Sequence, residues 1–194
     1  MLTLPRSLSL TPDQFAQVCA ANPEAVLELA ADGTLIEMTP TGGNTSARNS
    51  ALVFQLQSWA RTVDGWIVFE SSGGFRLADG SVRSPDASLV RLDRWRALSE
   101  AEREGFPPLC PDLVVELASP SDQLEPLRQK MASYISNGAR LGWLLLPRRR
   151  TVEVWSSDPA TQAARFSALS DASRLEATAD FPGLVIELEQ IWAG

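Results

Sequence analysis

Lys130 is the only lysine among 17 basic residues, and the 194-residue chain has no histidine. Arginine is a planar fork that stays charged, whereas lysine is a compact point charge whose pKa moves when it is desolvated. A site that needs the second kind of cation cannot use the first. Two carboxylates stand upstream of it. Glu116 ends the run Pro111-Asp112-Leu113-Val114-Val115-Glu116, and Asp86 lies 30 positions earlier in Ser84-Pro85-Asp86-Ala87-Ser88-Leu89-Val90. A gap of that length lets the two strands be neighbours. Together with a strand carbonyl, that of Leu117, the two acids make an oxygen-rich site for a hard divalent cation. Mg²⁺, or Mn²⁺ in its place, accepts such partial coordination and completes it with water and phosphate oxygens. A cation of this kind lowers the pKa of a coordinated water and stabilises charge developing on a phosphate. A nearby ammonium would orient that water or neutralise that charge.

The elements around these residues must position them. Period-two alternation puts Leu113, Val115 and Leu117 on one strand face and Val114, Glu116 and Ala118 on the other. A lone carboxylate among apolar neighbours is costly unless paired or metal-bound; the ordinary alternative is a sheet-edge glutamate facing water. A helix is expected over about 123–136, ended by Asn137-Gly138 as a C-cap. Its buried stripe is Leu124, Leu127, Met131 and Ile135, with Lys130 on the flank and Tyr134 one turn onward. Lys130 then either reaches inward, with Tyr134 as its buttress, or snorkels to solvent.

Elsewhere Thr11-Pro12-Asp13 opens a short helix. The segments 25–29 and 34–38 flank Asp32-Gly33 as a hairpin. A helix is expected over about 46–62, with Leu52, Val53, Leu56 and Trp59 facing a core. Strands follow at 66–70, 74–77 and 82–90, then short surface helices in 91–105. The strand at 113–118 precedes the Lys130 helix, and a strand pair at 141–146 and 151–155 surrounds Pro147-Arg148-Arg149-Arg150. The tail from Asp158 reads as looser turns with one further strand at 184–188. This order implies an α/β fold with a mixed central sheet flanked by helices, as a single domain over 1–194. Trp66, Trp95, Trp143 and Trp155 read as core or interface aromatics.

Composition narrows the chemistry. Without histidine there is no Ser-His-Asp or Cys-His hydrolysis and no histidine-ligated zinc. Cys19 and Cys110 read as small buried hydrophobes in a reducing compartment, not a disulfide. No long apolar run at Met1 to Arg6 suggests a leader or a membrane span, so a cytoplasmic protein is expected. The net charge of −7 argues against non-specific coating of nucleic acid, which rests on phosphate neutralisation. Arg148-Arg149-Arg150 either touches a phosphate backbone or forms a solvated hairpin tip.

The arrangement Pro85-Asp86 … Glu116-Leu117-Ala118 resembles the PD-(D/E)XK nuclease signature, whose last position is usually lysine and is here Ala118. Lys130 fits a lysine that has migrated to the following helix. More specifically, Glu116-Leu117-Ala118-Ser119-Pro120-Ser121-Asp122, Lys130-Met131 and Asn137-Gly138 … Gly142-Trp143-Leu144 resemble the Uma-two family of restriction-type endonucleases. So do Met38-Thr39-Pro40, Asn49-Ser50 and Gly74-Phe75-Arg76-Leu77. The resemblance implies a restriction-endonuclease-like core behind an N-terminal helix and hairpin, with divalent-metal-dependent cleavage of DNA. In that reading Asp86, Glu116 and the Leu117 carbonyl hold Mg²⁺, and Asp86, Glu116 and Lys130 are catalytic. Glu70, Glu37 and Asn49 are either further contributors or structural. Two other readings stay open: a catalytically silent nuclease fold acting as a dimeric binding or regulatory module, and a carboxylate-based hydrolase of another substrate.

Overall fold

Six strands form the central sheet of the computed structural model, which describes residues 9–38 and 40–193. Met1 to Arg6, and Thr39 of the Met38-Thr39-Pro40 segment, lie outside the described residues. In chain order the elements are α1 (Pro12–Ala21), β1 (Val26–Leu29), β2 (Leu35–Met38), α2 (Gly43–Ala60), β3 (Trp66–Glu70), β4 (Phe75–Arg76), β5 (Val82–Arg83) and β6 (Ala87–Arg91). Next come α3 (Leu92–Arg96), α4 (Glu100–Glu104), β7 (Leu113–Leu117), α5 (Leu124–Ser136), β8 (Leu141–Leu146) and β9 (Thr151–Ser157). The chain ends with β10 (Ala164–Ser170), β11 (Arg174–Glu176), β12 (Val185–Glu187) and α6 (Glu189–Ala193). The central order is β10-β9-β8-β7-β6-β3, and a smaller sheet runs β2-β1-β5-β4. Only β7 and β8 pair in parallel within the central sheet, so the chain must cross over between them, and α5 is that crossover. The sheet is therefore mixed, as the sequence implies.

Alternation along β7 divides the core. Leu113, Val115 and Leu117 pack with Leu52, Leu56 and Trp59 of α2 on one face. Val114 packs with Met131, Tyr134 and Ile135 of α5 on the other. Each of these side chains contributes roughly 1.5–3 kcal/mol on full burial, which fixes the strand register, because a one-residue slip would exchange the faces. Trp143 and Trp155 are buried, while Trp66 and Trp95 pack partly buried against the two cores.

Three expectations change. The strand expected over 82–90 is two strands in two sheets, because Pro85 offers no N–H to a ladder and the chain changes sheet there. The tail is more ordered than expected: β10 pairs with β9 along its whole length, from Ala164↔Ser157 to Ser170↔Thr151. Its exposed residues give little of the apolar alternation that marks a strand. The helix expected over 46–62 begins earlier, at Gly43.

Gly138 stands at φ +105° just past the end of α5, as a glycine C-cap requires. Gly142 serves another purpose. A Cβ there would sit 2.5 Å from Met131 Cε and 3.2 Å from Trp155 Cβ, so glycine lets α5 lie close over β8. Gly142→Val is expected to lower unfolding free energy by about 1–3 kcal/mol through overpacking, measured by urea denaturation. Combining it with Met131→Ala should cost less than the sum of the two single changes; simple additivity would show that the close approach is unimportant.

Candidate active site

The C-terminal end of β7 lies beside β6, with Ala87 opposite Val115. Asp86, one residue before β6, reaches past the end of that ladder, and its Oδ2 accepts from the Leu117 N–H at 2.7 Å. The next N–H, of Ala118, turns to Leu145 O at 2.9 Å. A strand residue presents its N–H and C=O to the same neighbour, so Leu117 shows its main chain to the Asp86 side. Asn49 from α2 donates through Nδ2 to Asp86 Oδ1 at 2.9 Å. Its own Oδ1 is buried with no hydrogen-bond partner.

Lys130 points inward. Its side chain is 10 % exposed, and Nζ lies 2.8 Å from Glu116 Oε1 and 2.8 Å from Glu28 Oε1. A third contact runs to Ser84 O at 3.3 Å, so all three ammonium donors are engaged. Tyr134 does not hydrogen-bond to Lys130, as a direct buttress would. Its hydroxyl donates to Glu116 Oε1 at 3.0 Å, while its ring lies 5.9 Å from Nζ. Among the described residues Glu116 Oε2 accepts no hydrogen bond.

Glu28, on β1, is the residue that sequence reasoning missed. It is 2 % exposed, and it accepts from Ser84 N at 2.9 Å and Arg83 NH1 at 3.0 Å besides Lys130. The signal was present, since Val26-Leu27-Glu28-Leu29 repeats the lone-acid pattern of Val114-Val115-Glu116-Leu117. The other acids do not join. Glu70 turns to the Ser72 N–H at 3.1 Å in its own loop. Glu37 pairs opposite Leu27, while Glu28 pairs opposite Ile36, so Glu37 lies on the other face of the hairpin.

Burial dominates the protonation of this cluster. It pushes Glu116 up to about 8, with the Asp86 and Glu28 charges adding to it and Lys130 opposing. Asp86 is also raised, by burial first. Burial acts on Glu28 too, but Lys130, Ser84 and Arg83 together hold its carboxyl below the usual range. Burial disfavours the Lys130 ammonium, yet Glu116 and Glu28 outweigh it and keep the pKa above the ordinary lysine value. Lys130 is thus a fixed positive charge and not a proton acceptor. The Asp86 carboxylate and the Glu116 Oε2 that accepts no hydrogen bond are hard oxygens, the donor type that a cation such as Mg²⁺ or Mn²⁺ prefers. Among the described residues no group of three or more His, Cys, Asp or Glu side chains could hold a metal ion, so such a cation would rely also on main-chain oxygen and water.

The sequence matches a family described as "Putative restriction endonuclease" over residues 12–189. The chain belongs to the Uma2 family. The fold agrees: the structure is similar to the crystal structure of a "putative nuclease belonging to DUF820" from Anabaena variabilis ATCC 29413. The TM-score is 0.74 at 20 % identity, with 95 % of this chain and 98 % of that one covered. No curated protein matches the chain. The mixed sheet with its flanking helices is thus the restriction-endonuclease-like fold expected from the sequence, and in this Uma2 chain it carries the acidic cluster at the end of β7. Among the described residues no helix is long and apolar enough to cross a membrane. Cys19 and Cys110 are free thiols.

Two outcomes test the electrostatics. Between about pH 4.5 and about 8 the folded chain holds a proton on Glu116 that the unfolded chain has lost. The unfolded state binds fewer protons there, so this group makes stability fall as pH rises through that window. Glu28, with its lowered pKa, acts below the window, where its stabilising charge is lost on acidification. Glu116→Gln should flatten the fall in urea midpoint across that range; an unchanged slope would refute the buried proton. Lys130→Met should cost about 3–5 kcal/mol near neutral pH, because it leaves the buried Glu28 carboxylate without its cation. Part of that loss should return as acid protonates Glu28, and a loss unaffected by pH would point to packing instead.

Proposed function

We propose that this Uma2 chain is a divalent-metal-dependent DNA endonuclease that hydrolyses phosphodiester bonds. The observation that carries the reading is the convergence of Asp86, just before β6, with Glu116 of β7 and Lys130 of α5 at one end of the central sheet, with Lys130 Nζ 2.8 Å from Glu116. Asp86, Glu116 through its free oxygen, and the Leu117 carbonyl would hold Mg²⁺ or Mn²⁺. When bound, the cation makes a coordinated water more acidic and stabilises charge on the scissile phosphate.

The remaining residues have separate work. Lys130 stays protonated and held by Glu28 and Glu116, so it supplies a positioned charge beside the attacking water and the phosphate. Glu28 sets the ammonium position through the Ser84 and Arg83 contacts. Tyr134 holds Glu116 through Oε1, so Oε2 is the oxygen left without a hydrogen bond among the described residues. Asn49 orients Asp86 through its Nδ2 donation. Family membership and the nuclease-type fold support DNA as substrate.

A plasmid-nicking assay with Mg²⁺, comparing wild type with Glu116→Gln and Asp86→Asn, tests this directly. Each variant should lose activity by about a hundredfold or more, with Mn²⁺ able to replace Mg²⁺ for the wild type. Equal nicking by wild type and both variants would overturn the assignment. A second reading is a catalytically silent binding or regulatory module, as a homodimer, which the net charge of −7 favours. Calorimetry separates the two: heat from Mg²⁺ or Mn²⁺ binding that Asp86→Asn abolishes supports the enzyme, and no heat at low salt supports the module.

A further inference from the structure

Beside the carboxylate cluster, where β7 and β8 end, a pocket of about 340 Å³ opens between the start of α5 and the turn that joins β8 to β9. Its lining includes Leu124, Leu127 and Pro147 together with Asp122, Arg148 and Arg149. The volume lies in the range of about 300–1,000 Å³ usual for ligand sites.

The three arginines of the turn are not alike. Arg150 is committed: it pairs with Asp171 at 3.2 Å and Glu189 at 3.1 Å and lies over the Trp192 ring. Arg148 and Arg149 are exposed, and among the described residues neither guanidinium has a partner. Two free fork-shaped cations in a cleft that leucine and proline also line suit a ligand with a flat body between anionic groups. Asp122, also in the lining, is close enough to Asp86 to act on its charge, so the pocket and the acidic cluster share one neighbourhood.

We propose that this pocket takes one unstacked base of the DNA strand to be cut, with Arg148 and Arg149 on the phosphates flanking it. The inference rests on the endonuclease reading for the identity of the ligand, and it explains how an acidic chain would hold DNA. Phosphate neutralisation alone is weak at a net charge of −7, whereas burial of a base against leucine and proline side chains adds affinity of another kind. A base inside an intact duplex is out of reach and must be turned out of the stack first. DNA with a base already unpaired is therefore the preferred ligand.

The test is fluorescence anisotropy at low salt, with a labelled duplex carrying one bulged nucleotide and the fully paired duplex of the same sequence. Wild type is expected to bind the bulged duplex about tenfold more tightly. Changing both Arg148 and Arg149 to Ala should weaken binding and make the dependence of log K on log salt shallower by about 2. Leu127→Trp fills the pocket and should bring the two affinities together; Leu124→Trp serves the same purpose if the first variant melts early. Equal wild-type affinity for the two duplexes, binding to neither, or a preference that survives in a folded pocket-filling variant would each overturn the proposal. Failure of the endonuclease reading looks different: the preference for the bulge persists while Mg²⁺ leaves the bound duplex uncut.

Discussion

One ammonium joins parts of the chain that the fold would otherwise leave independent. Lys130 on α5 reaches Glu116 in the central sheet and Glu28 in the small one, each at 2.8 Å, and Ser84 O between them. Removing Glu28 leaves the ammonium short of an ionised partner at a largely buried position, where an unpaired charge costs several kcal/mol. The hairpin that carries Glu28 is thereby tied to the Lys130 helix by electrostatics, and its own small core of Phe15, Leu27, Leu29 and Val82 keeps it in register.

The same constraint explains why lysine stands here in a chain otherwise built on arginine. An ammonium gives three donors that can diverge toward three acceptors, while a guanidinium places its donors in one plane. Glu153 provides the contrast inside the same helix–sheet layer. It is 2 % exposed on β9, and Arg128 grips its carboxylate side-on, with Nε 3.0 Å from Oε1. That pair accepts a planar fork. The Lys130 position, with acceptors from β1, β7 and the Ser84 bend, does not.

Much of this was legible in sequence. Alternation in 113–118 placed Glu116 on the face of Val114, which the structure turns toward α5, and the single lysine marked the cation. Asp86 was legible through its Pro85 context, although the break that Pro85 causes was not, because the apolar residues on both sides read as one strand. Glu28 was hidden by its setting. In a hairpin flanking Asp32-Gly33, a glutamate between leucines reads as the solvent-facing member of an alternating strand. Only packing by Arg83, Ser84 and Lys130 from distant segments makes that face an interior. The lone-acid pattern also does not separate roles: Val152-Glu153-Val154 shows it as clearly as Val115-Glu116-Leu117, and Glu153 is held by Arg128 away from the cluster. What distinguishes them is the partner. The chain's only lysine and only tyrosine both close on Glu116.

These two ion pairs also account for the precision of α5. In the sheet register Glu116 lies opposite Leu144, and Leu144 opposite Glu153, so the two carboxylates flank β8 on the face that α5 covers. Arg128 and Lys130 leave the helix on different sides, about 200° apart at 3.6 residues per turn. A helix pinned at both flanks cannot roll on the sheet without breaking one pair. It cannot rise either, because Met131 fills the space that Gly142 leaves open. Apolar packing alone would tolerate small rotations of α5, since leucine and methionine adapt to new neighbours. A site that needs Lys130 Nζ beside Glu116 does not tolerate them. The Arg128–Glu153 pair therefore belongs to the chemistry as much as to the fold: it sets the rotation from which Lys130 reaches inward.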